Sequence, residues 1–477
     1  MKRASTLAAM LLLSAPLGAQ VAPAPPPDPL PAAGEIVPKV VCRAHPEQSY
    51  ALYLPRAYAA NKRWPIVYVF EPAARGMLPT QIMKDAAEQY GYIVATSNNS
   101  KNGPWKAGAE AAAATLDDTH ARLAIDDRRV YLAGFSGGAR LATRLAQICK
   151  CAHGVFLNGA GFSHDAPPPR EGVFPVFMTA GTNDFNYSEL VNLDAQLAKL
   201  GYPRFLRRFD GAHEWAPAAI WPEALAWMSL QAMKDKRMAR DETFVAAELG
   251  RFTAQAQVVE RAGNSYLAAQ AYRQAAAAFD GLADVRALQG RAAALEKEPA
   301  YRTAEKRERE ELALQASLEN EIFRVTTRLS GPAGDRMEWR DQAFRLISDL
   351  RKRAAQEKKE DKRRVLERAR RGVFTVMIEA GEPLIDEGNL ALAEIYLGLA
   401  VAARPEAPWP HLSLAQCLLK MGRKKDALLS LQRAKDAGLE AQDLADLETQ
   451  IPEFAALASD PAFQKLVEGK LPAPETP

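Results

Sequence analysis

The chain has 477 residues, with 61 Lys and Arg against 58 Asp and Glu, for a formal net charge of +3. So near a balance excludes the broad basic surface that a nucleic-acid partner requires. The length is enough for two or three domains.

The first residues, Met1-Lys-Arg3, precede the apolar run Leu7 to Leu13 and the small residues Pro16 to Ala19. A basic start, a short apolar run and small residues predict a secretory signal peptide over 1–19, cut after Ala19. The apolar run is too short to stay in a bilayer as an anchor, and nothing later approaches a span. No cysteine follows the cut, which argues against lipid attachment. The expected location is periplasmic or extracellular. Residues 20–34, rich in proline from Val21 to Pro31, predict an extended, solvated spacer.

From 35 to 235 short β-branched runs alternate with helical segments. Ile36 to Cys42 and Tyr50 to Leu54 predict an opening hairpin, and Pro65 to Phe70 a buried strand. A helix follows over Thr80 to Tyr90, then a strand over Tyr92 to Thr96 and a helix over Ala109 to Leu123. Arg129 to Ala133 is a strand leading into Gly134-Phe-Ser-Gly-Gly138 and the helical run Ala139 to Ala146. Val155 to Leu157 and Pro175 to Thr179 are strands. A helix over Ser188 to Leu200, a strand over Arg204 to Phe209 and a helix over Pro222 to Met233 close the domain. Continuous apolar strands between helices imply a parallel sheet covered on both faces. Such a sheet carries its site at the carboxyl ends of the strands.

After Lys234 the strand signal stops and helical periodicity takes over. Residues 236–370 read as a charged helical region with a degenerate repeat, and 371–470 as tetratricopeptide-like repeats. Leu384, Gly388, Ala393, Leu397, Ala400 and Pro405 recur 34 residues later as Leu418, Gly422, Ala427, Leu431, Ala434 and Leu439. Gly263, Ala268, Tyr272 and Ala275 repeat the spacing more weakly. Glycine at the turn, alanine at close helix contacts and larger apolar residues between fit stacked helical hairpins better than a generic bundle. Pro383 predicts a kink in one copy. The charged stretch Tyr301 to Arg371 reads as long, solvent-washed helices with charge pairs four residues apart, and less readily as a basic docking face near Lys358 to Arg371.

Four cysteines stand at 42, 149, 151 and 417. Export favours pairing, and a bridge from Cys42 to Cys149 or Cys151 is expected within the first domain. Cys417, between Leu414 and Leu418, reads as a small buried apolar residue. A lone C-x-C does not argue for zinc.

The chemistry centres on Ser136. A strand, a turn that needs glycines and a helix place its hydroxyl at the apex of a nucleophile elbow. A serine hydroxyl needs a base. Of six histidines, His45 and His120 precede the serine, His153 and His164 precede any suitable acid, and His411 lies in the repeats. His213, in Asp210-Gly-Ala-His213 just after the last strand, remains. The acid belongs at the end of the strand before it, where Asp184 closes Gly181-Thr-Asn-Asp184; Asp194 and Asp210 are rivals. An oxyanion needs two donors: the N–H of Gly137, and one from the loop Glu71-Pro-Ala-Ala-Arg-Gly76, with Ala73 the first choice and Ala74 the second. Around the site, Arg75 could meet a substrate carboxylate. Asn98 and Trp105, in the loop after the Tyr92 strand, and the aromatic residues Phe162, Phe185, Tyr187 and Trp215 are candidate pocket residues. The alternatives are a surface position for Arg75, a turn-rich loop for Asn98 and Trp105, and core packing for the aromatic residues.

On Gly134-Phe-Ser-Gly-Gly-Ala-Arg140, Thr182-Asn-Asp184 and Gly211-Ala-His213, the first half resembles secreted esterases of the α/β-hydrolase superfamily. The polyhydroxybutyrate-depolymerase and feruloyl-esterase-like group is the nearest in pattern. The resemblance implies an α/β-hydrolase sheet domain followed by an all-α repeat domain, and ester hydrolysis through an acyl-enzyme without metal or organic cofactor. Ser136 would be the nucleophile, Asp184 the acid and His213 the base. The oxyanion loop departs from the family's His-Gly form, so the resemblance does not carry a substrate. Partners implied are a small-molecule or polymer-linked ester and a protein docked on the repeats. The other readings are an inactive hydrolase-fold scaffold and a serine peptidase.

Overall fold

The computed structural model describes residues 32–331, 335–440, 442–444, 447 and 451–467. The leader expected over 1–19 and the proline-rich stretch to Pro31 lie outside the described residues, as does the end of the repeat region.

Eight strands form one sheet in the order β1-β2-β4-β3-β5-β6-β7-β8. They are β1 (Ile36–Val41), β2 (Ser49–Tyr53), β3 (Trp64–Phe70), β4 (Ile93–Ser97), β5 (Ile125–Phe135), β6 (Val155–Asn158), β7 (Val176–Gly181) and β8 (Arg204–Phe209). The β1–β2 hairpin pairs antiparallel, and β2 also runs antiparallel to β4. From β4 to β8 every pairing is parallel. Every residue of β3, β4, β6 and β7 is buried, which is why these strands read as unbroken apolar runs with no alternation.

Helices α1 (Met77–Tyr90) and α5 (Trp221–Lys234) pack on one face of the sheet. The other face is covered by α2 (Trp105–Arg122), α3 (Gly137–Cys149) and α4 (Tyr187–Lys199). The mixed edge, the strand order and the crossovers to both faces make this an α/β-hydrolase sheet. Strand order reverses at β3, which lies between β4 and β5, and the strand–helix turn after β5 opens at that switch point.

Beyond Lys234 the described elements are helical: α6 (Glu242–Arg261), α7 (Ser265–Phe279), α8 (Arg286–Glu296), α9 (Pro299–Thr326), α10 (Arg336–Gln356), α11 (Glu360–Asp386), α12 (Leu390–Ala403), α13 (Pro408–Lys420), α14 (Lys424–Asp436) and α15 (Pro461–Val467). The first three share a core with the sheet. Phe205 of β8 meets Phe252 of α6 edge-on at 5.8 Å, and Phe252 meets Phe279 of α7 at 5.3 Å. Among the described helices none is long and apolar enough to cross a membrane.

Gly263, Gly388 and Gly422 sit between paired helices with φ of +82°, +77° and +75°. That left-handed conformation is one that only glycine adopts without strain. The alanines at the repeat positions, Ala268, Ala393, Ala400, Ala427 and Ala434, are all fully buried at helix contacts. Pro383 does not end its helix: α11 runs on to Asp386. Near a helix end a proline forfeits one hydrogen bond without terminating the rod.

The cysteine expectation is corrected. Cys149 pairs with Cys151, while Cys42 is a buried free thiol. Cys42 lies just beyond β1, under the edge hairpin, whereas the C-x-C pair lies at the far end of α3 with Cα atoms 5.1 Å apart, within ordinary bridging range.

Candidate active site

Ser136 terminates β5 and caps α3 with φ 52° and ψ −123°, a conformation unfavourable for a residue with a side chain. The glycines around it are what permit it. A β-carbon on Gly134 would stand 2.1 Å from the Gly138 carbonyl, and one on Gly138 would stand 2.0 Å from the Phe70 carbonyl. The Ser136 N–H donates to the Asn158 carbonyl at 2.9 Å, fixing the elbow to β6.

The three chain-distant residues singled out from sequence meet here. His213 Nε2 lies 2.9 Å from Ser136 Oγ, and its Nδ1 lies 2.9 Å from Asp184 Oδ1. The imidazole rests between the rings of Phe135 and Phe185, at centroid distances of 4.6 and 4.2 Å. Asp184 is 1% exposed. Its Oδ1 also accepts the Asn186 N–H at 2.8 Å, while Oδ2 has no partner among the described residues. Burial pushes this carboxyl above its ordinary range, and the hydrogen bond and charge of His213 pull it back.

The rival acids have other work. Asp194 pairs with Arg204 at 3.0 Å. Asp210 accepts from Asn183 Nδ2 at 3.2 Å, bracing the turn that carries Asp184. Gly159, which the sequence reading passed over, backs the site after β6. Its φ is +65°, and a β-carbon there would lie 3.2 Å from both Asp184 Oδ2 and His213 Cε1.

The oxyanion loop differs from expectation. Gly137 is the first residue of α3, where backbone N–H groups have no intrahelical acceptor. Ala73, however, donates its N–H to Glu71 Oε2 at 2.7 Å. Ala74 donates to the Glu71 carbonyl, and Arg75 donates its backbone N–H to Glu71 Oε2. The Arg75 guanidinium is tied to the same buried carboxylate through Nε at 3.1 Å. A fully buried carboxylate must find donors, and Glu71 takes those of its own loop.

The remaining pocket candidates divide. Phe185 lies on the histidine. Trp105 opens α2 and stacks on the Arg144 guanidinium at 4.4 Å. With Asn102, Gly137, Arg140, Arg144 and Ser163 it lines a cleft of about 240 Å³ beside the elbow. Asn98 points away: its Nδ2 donates to the Pro38 carbonyl at 3.1 Å, and its Oδ1 fills the place a Gly76 side chain would take. Trp215 is core, packed on Phe135 and Trp221 at 5.6 and 6.3 Å. Phe162 is core as well, stacked on Phe174. Tyr187 is buried and donates its hydroxyl to Glu308 of α9.

Long helices beyond the sheet reach the loop that carries Asp184, a feature that charge-rich sequence concealed. Gln315 of α9 donates to the Phe185 carbonyl at 2.8 Å. Arg368 of α11 is 1% exposed, donates to the Thr182 carbonyl at 3.3 Å and lies over the Tyr187 ring at 4.6 Å. Glu319, one turn beyond Gln315, accepts from it at 3.0 Å, and burial lifts its carboxyl to about 7. Glu379 of α11 comes near enough for the charges of Arg140 and His213 to act on it.

No family profile matches the chain, and no curated protein sequence matches it significantly. Among solved structures, an esterase of Pyrobaculum calidifontis is 14% identical and aligns over 42% of this chain and 86% of its own, with a TM-score of 0.35. A ferulic acid esterase is 16% identical over 40% of this chain and 95% of its own, with a TM-score of 0.33. An S-formylglutathione hydrolase of Staphylococcus aureus is 13% identical over 42% and 98%, with a TM-score of 0.32.

Proposed function

We propose that the chain is an exported serine hydrolase that cleaves carboxylic esters, with Ser136 as nucleophile, His213 as base and Asp184 as the acid that orients it. The observation that carries this reading is the continuous relay of two 2.9 Å contacts from the Ser136 hydroxyl through the imidazole to a buried carboxylate.

In this reading Ser136 Oγ attacks the ester carbonyl carbon while its proton passes to His213 Nε2. The carbonyl oxygen becomes an oxyanion at the Gly137 N–H. Collapse of the tetrahedral species breaks the C–O bond, and the Nε2 proton goes to the departing alkoxide, leaving an acyl-serine. Water then attacks the acyl carbon and gives a proton to Nε2. The second collapse returns that proton to Ser136 Oγ and releases the acid. Asp184 holds the tautomer with the proton on Nδ1 and stabilises the imidazolium of each step.

The outer helix pairs, α11–α12 and α13–α14, are read as tetratricopeptide-like repeats that offer a surface to a partner. The coincidence of the 34-residue period with turn glycines of positive φ supports that part.

The test is hydrolysis of p-nitrophenyl acetate by the full chain and by Ser136→Ala, with fluorophosphonate labelling of both. The wild type is expected to turn over and to label, and Ser136→Ala to lose about 10⁴-fold or more in kcat. Residual turnover within tenfold of wild type would place the nucleophile elsewhere. Absence of labelling would favour an inactive scaffold, and preference for peptide anilides a peptidase.

A further inference from the structure

With the loop after β3 turned inward, the second oxyanion donor has to come from elsewhere. From Glu71 to Arg75 each residue's donor is spent: Glu71 on Ser100 Oγ at 3.0 Å, Ala73 and Arg75 on Glu71 Oε2 at 2.7 and 3.1 Å, and Ala74 on the Glu71 carbonyl at 3.2 Å. Pro72 has no N–H.

The side chain nearest the elbow from the facing wall is Asn102, which follows β4 and precedes α2. Its backbone N–H donates to the Pro72 carbonyl at 2.8 Å, and Ala73 and Lys101 form an isolated antiparallel bridge. The Asn102 loop is thereby fixed alongside the segment whose donors are withdrawn. Its carboxamide lies directly on Gly137: a β-carbon there would stand 1.9 Å from Oδ1, 2.9 Å from Cγ and 3.5 Å from Nδ2. This close approach also accounts for glycine after the nucleophile, since any larger residue would displace the amide. The carboxamide has no hydrogen-bond partner among the described residues, although the neighbouring Asn98 and Asn99 are both bound to backbone carbonyls.

We propose that Asn102 Nδ2 is the second donor of the oxyanion hole, completing it with the Gly137 N–H. This rests on the ester-hydrolase reading above. The Oδ1 and Nδ2 positions exchange by a half-turn about the Cβ–Cγ bond. An oxyanion at the Gly137 N–H selects the orientation that presents the NH2 group. A donor aimed at the atom where charge develops acts on the transition state more than on the bound ester. Asn102 is therefore a catalytic residue acting on kcat, carried by the strand beside the one that usually serves.

The test compares p-nitrophenyl acetate hydrolysis by the full-length wild type, Asn102→Ala and Asn102→Asp. Asn102 is exposed on a loop, and the Asp variant keeps its shape and backbone contact while removing the N–H donor. The inference expects kcat to fall about 10²-fold or more in Asn102→Ala and at least as far in Asn102→Asp, with KM and thermal midpoint nearly unchanged. A kcat within threefold of wild type in both variants overturns it. A change confined to KM also overturns it, because that describes an ordinary binding contact. A wild type inert toward esters would sink the hydrolase reading itself, and this assignment with it.

Discussion

Single side chains here do work that their local sequence does not announce. Glu319 is a carboxyl in a mostly helical, charge-rich stretch, yet burial against α11 lifts it to about 7 from an ordinary value near 4.5. Its folded form therefore holds a proton more tightly than its unfolded form. The stability this group contributes is complete below about pH 4.5 and is lost as pH rises through about 7. Gln315 and the charge of Arg368 face it and moderate the shift. Glu319→Gln, a mimic of the protonated acid, is expected to leave the thermal midpoint unchanged at pH 4.5 and to raise it at pH 8.5. Equal midpoints for wild type and variant at both pH values would show that the carboxylate is already well solvated.

At the scale of elements, the strands and the elbow were legible because their physics is local. Buried parallel strands need unbroken apolar runs, and a serine held at positive φ between close-packed backbones needs glycine on both sides. Chain order after the elbow then narrowed the candidates to Asp184 and His213; the structure brings His213 to Ser136 and Asp184 to His213. The oxyanion loop was misread because its fate depends on one buried carboxylate, Glu71, whose burial no spacing reveals. The Cys149–Cys151 pair was missed because the choice of partner turned on whether Cys42 comes within reach of the C-x-C pair, and that distance is a tertiary property. Least legible was Arg368, one cation among many in α11, which in place of solvent meets the Thr182 carbonyl and Glu311. Replacing it by methionine keeps much of its bulk and takes a donor from the Thr182 carbonyl, while Glu311 retains Arg364 at 3.5 Å. Arg368→Met is expected to lower unfolding stability by about 2 kcal/mol in urea titration and to lower the kcat of the proposed hydrolysis through the loosened Asp184 loop. A stability within 0.5 kcal/mol of wild type (about the noise of an uncoupled surface change) would mean the contact is incidental.

For the whole molecule, the sheet and the helices behind it are not separable pieces. The core that covers one face of the sheet continues through Phe205, Phe252 and Phe279 into α6 and α7. Sequence composition suggested a break after Lys234, and a chain ending near Lys236 would retain activity on small esters if the helices only dock a partner. The structure leads to the opposite outcome. Removing α6 and α7 exposes Phe205 and Trp227, and removing α9 and α11 takes away the supports at Phe185 and Thr182. Such a truncation is expected to be poorly soluble or, if folded, to have lost most of the ester hydrolysis proposed for the full chain. A monomeric, fully active fragment would show that the helices are accessory.

Helix α11 belongs to both regions at once: Arg368 near its start donates to the Thr182 carbonyl in the Asp184 loop, and its far end packs against α12. From Arg368 to Asp386 is about 27 Å at 1.5 Å per residue. Swinging such a rod by roughly 5° about the arginine shifts its distant tip by about 2 Å while its anchored end barely moves. A tilt of the outer hairpins about that pivot would therefore reach the Asp184 loop strongly reduced in amplitude.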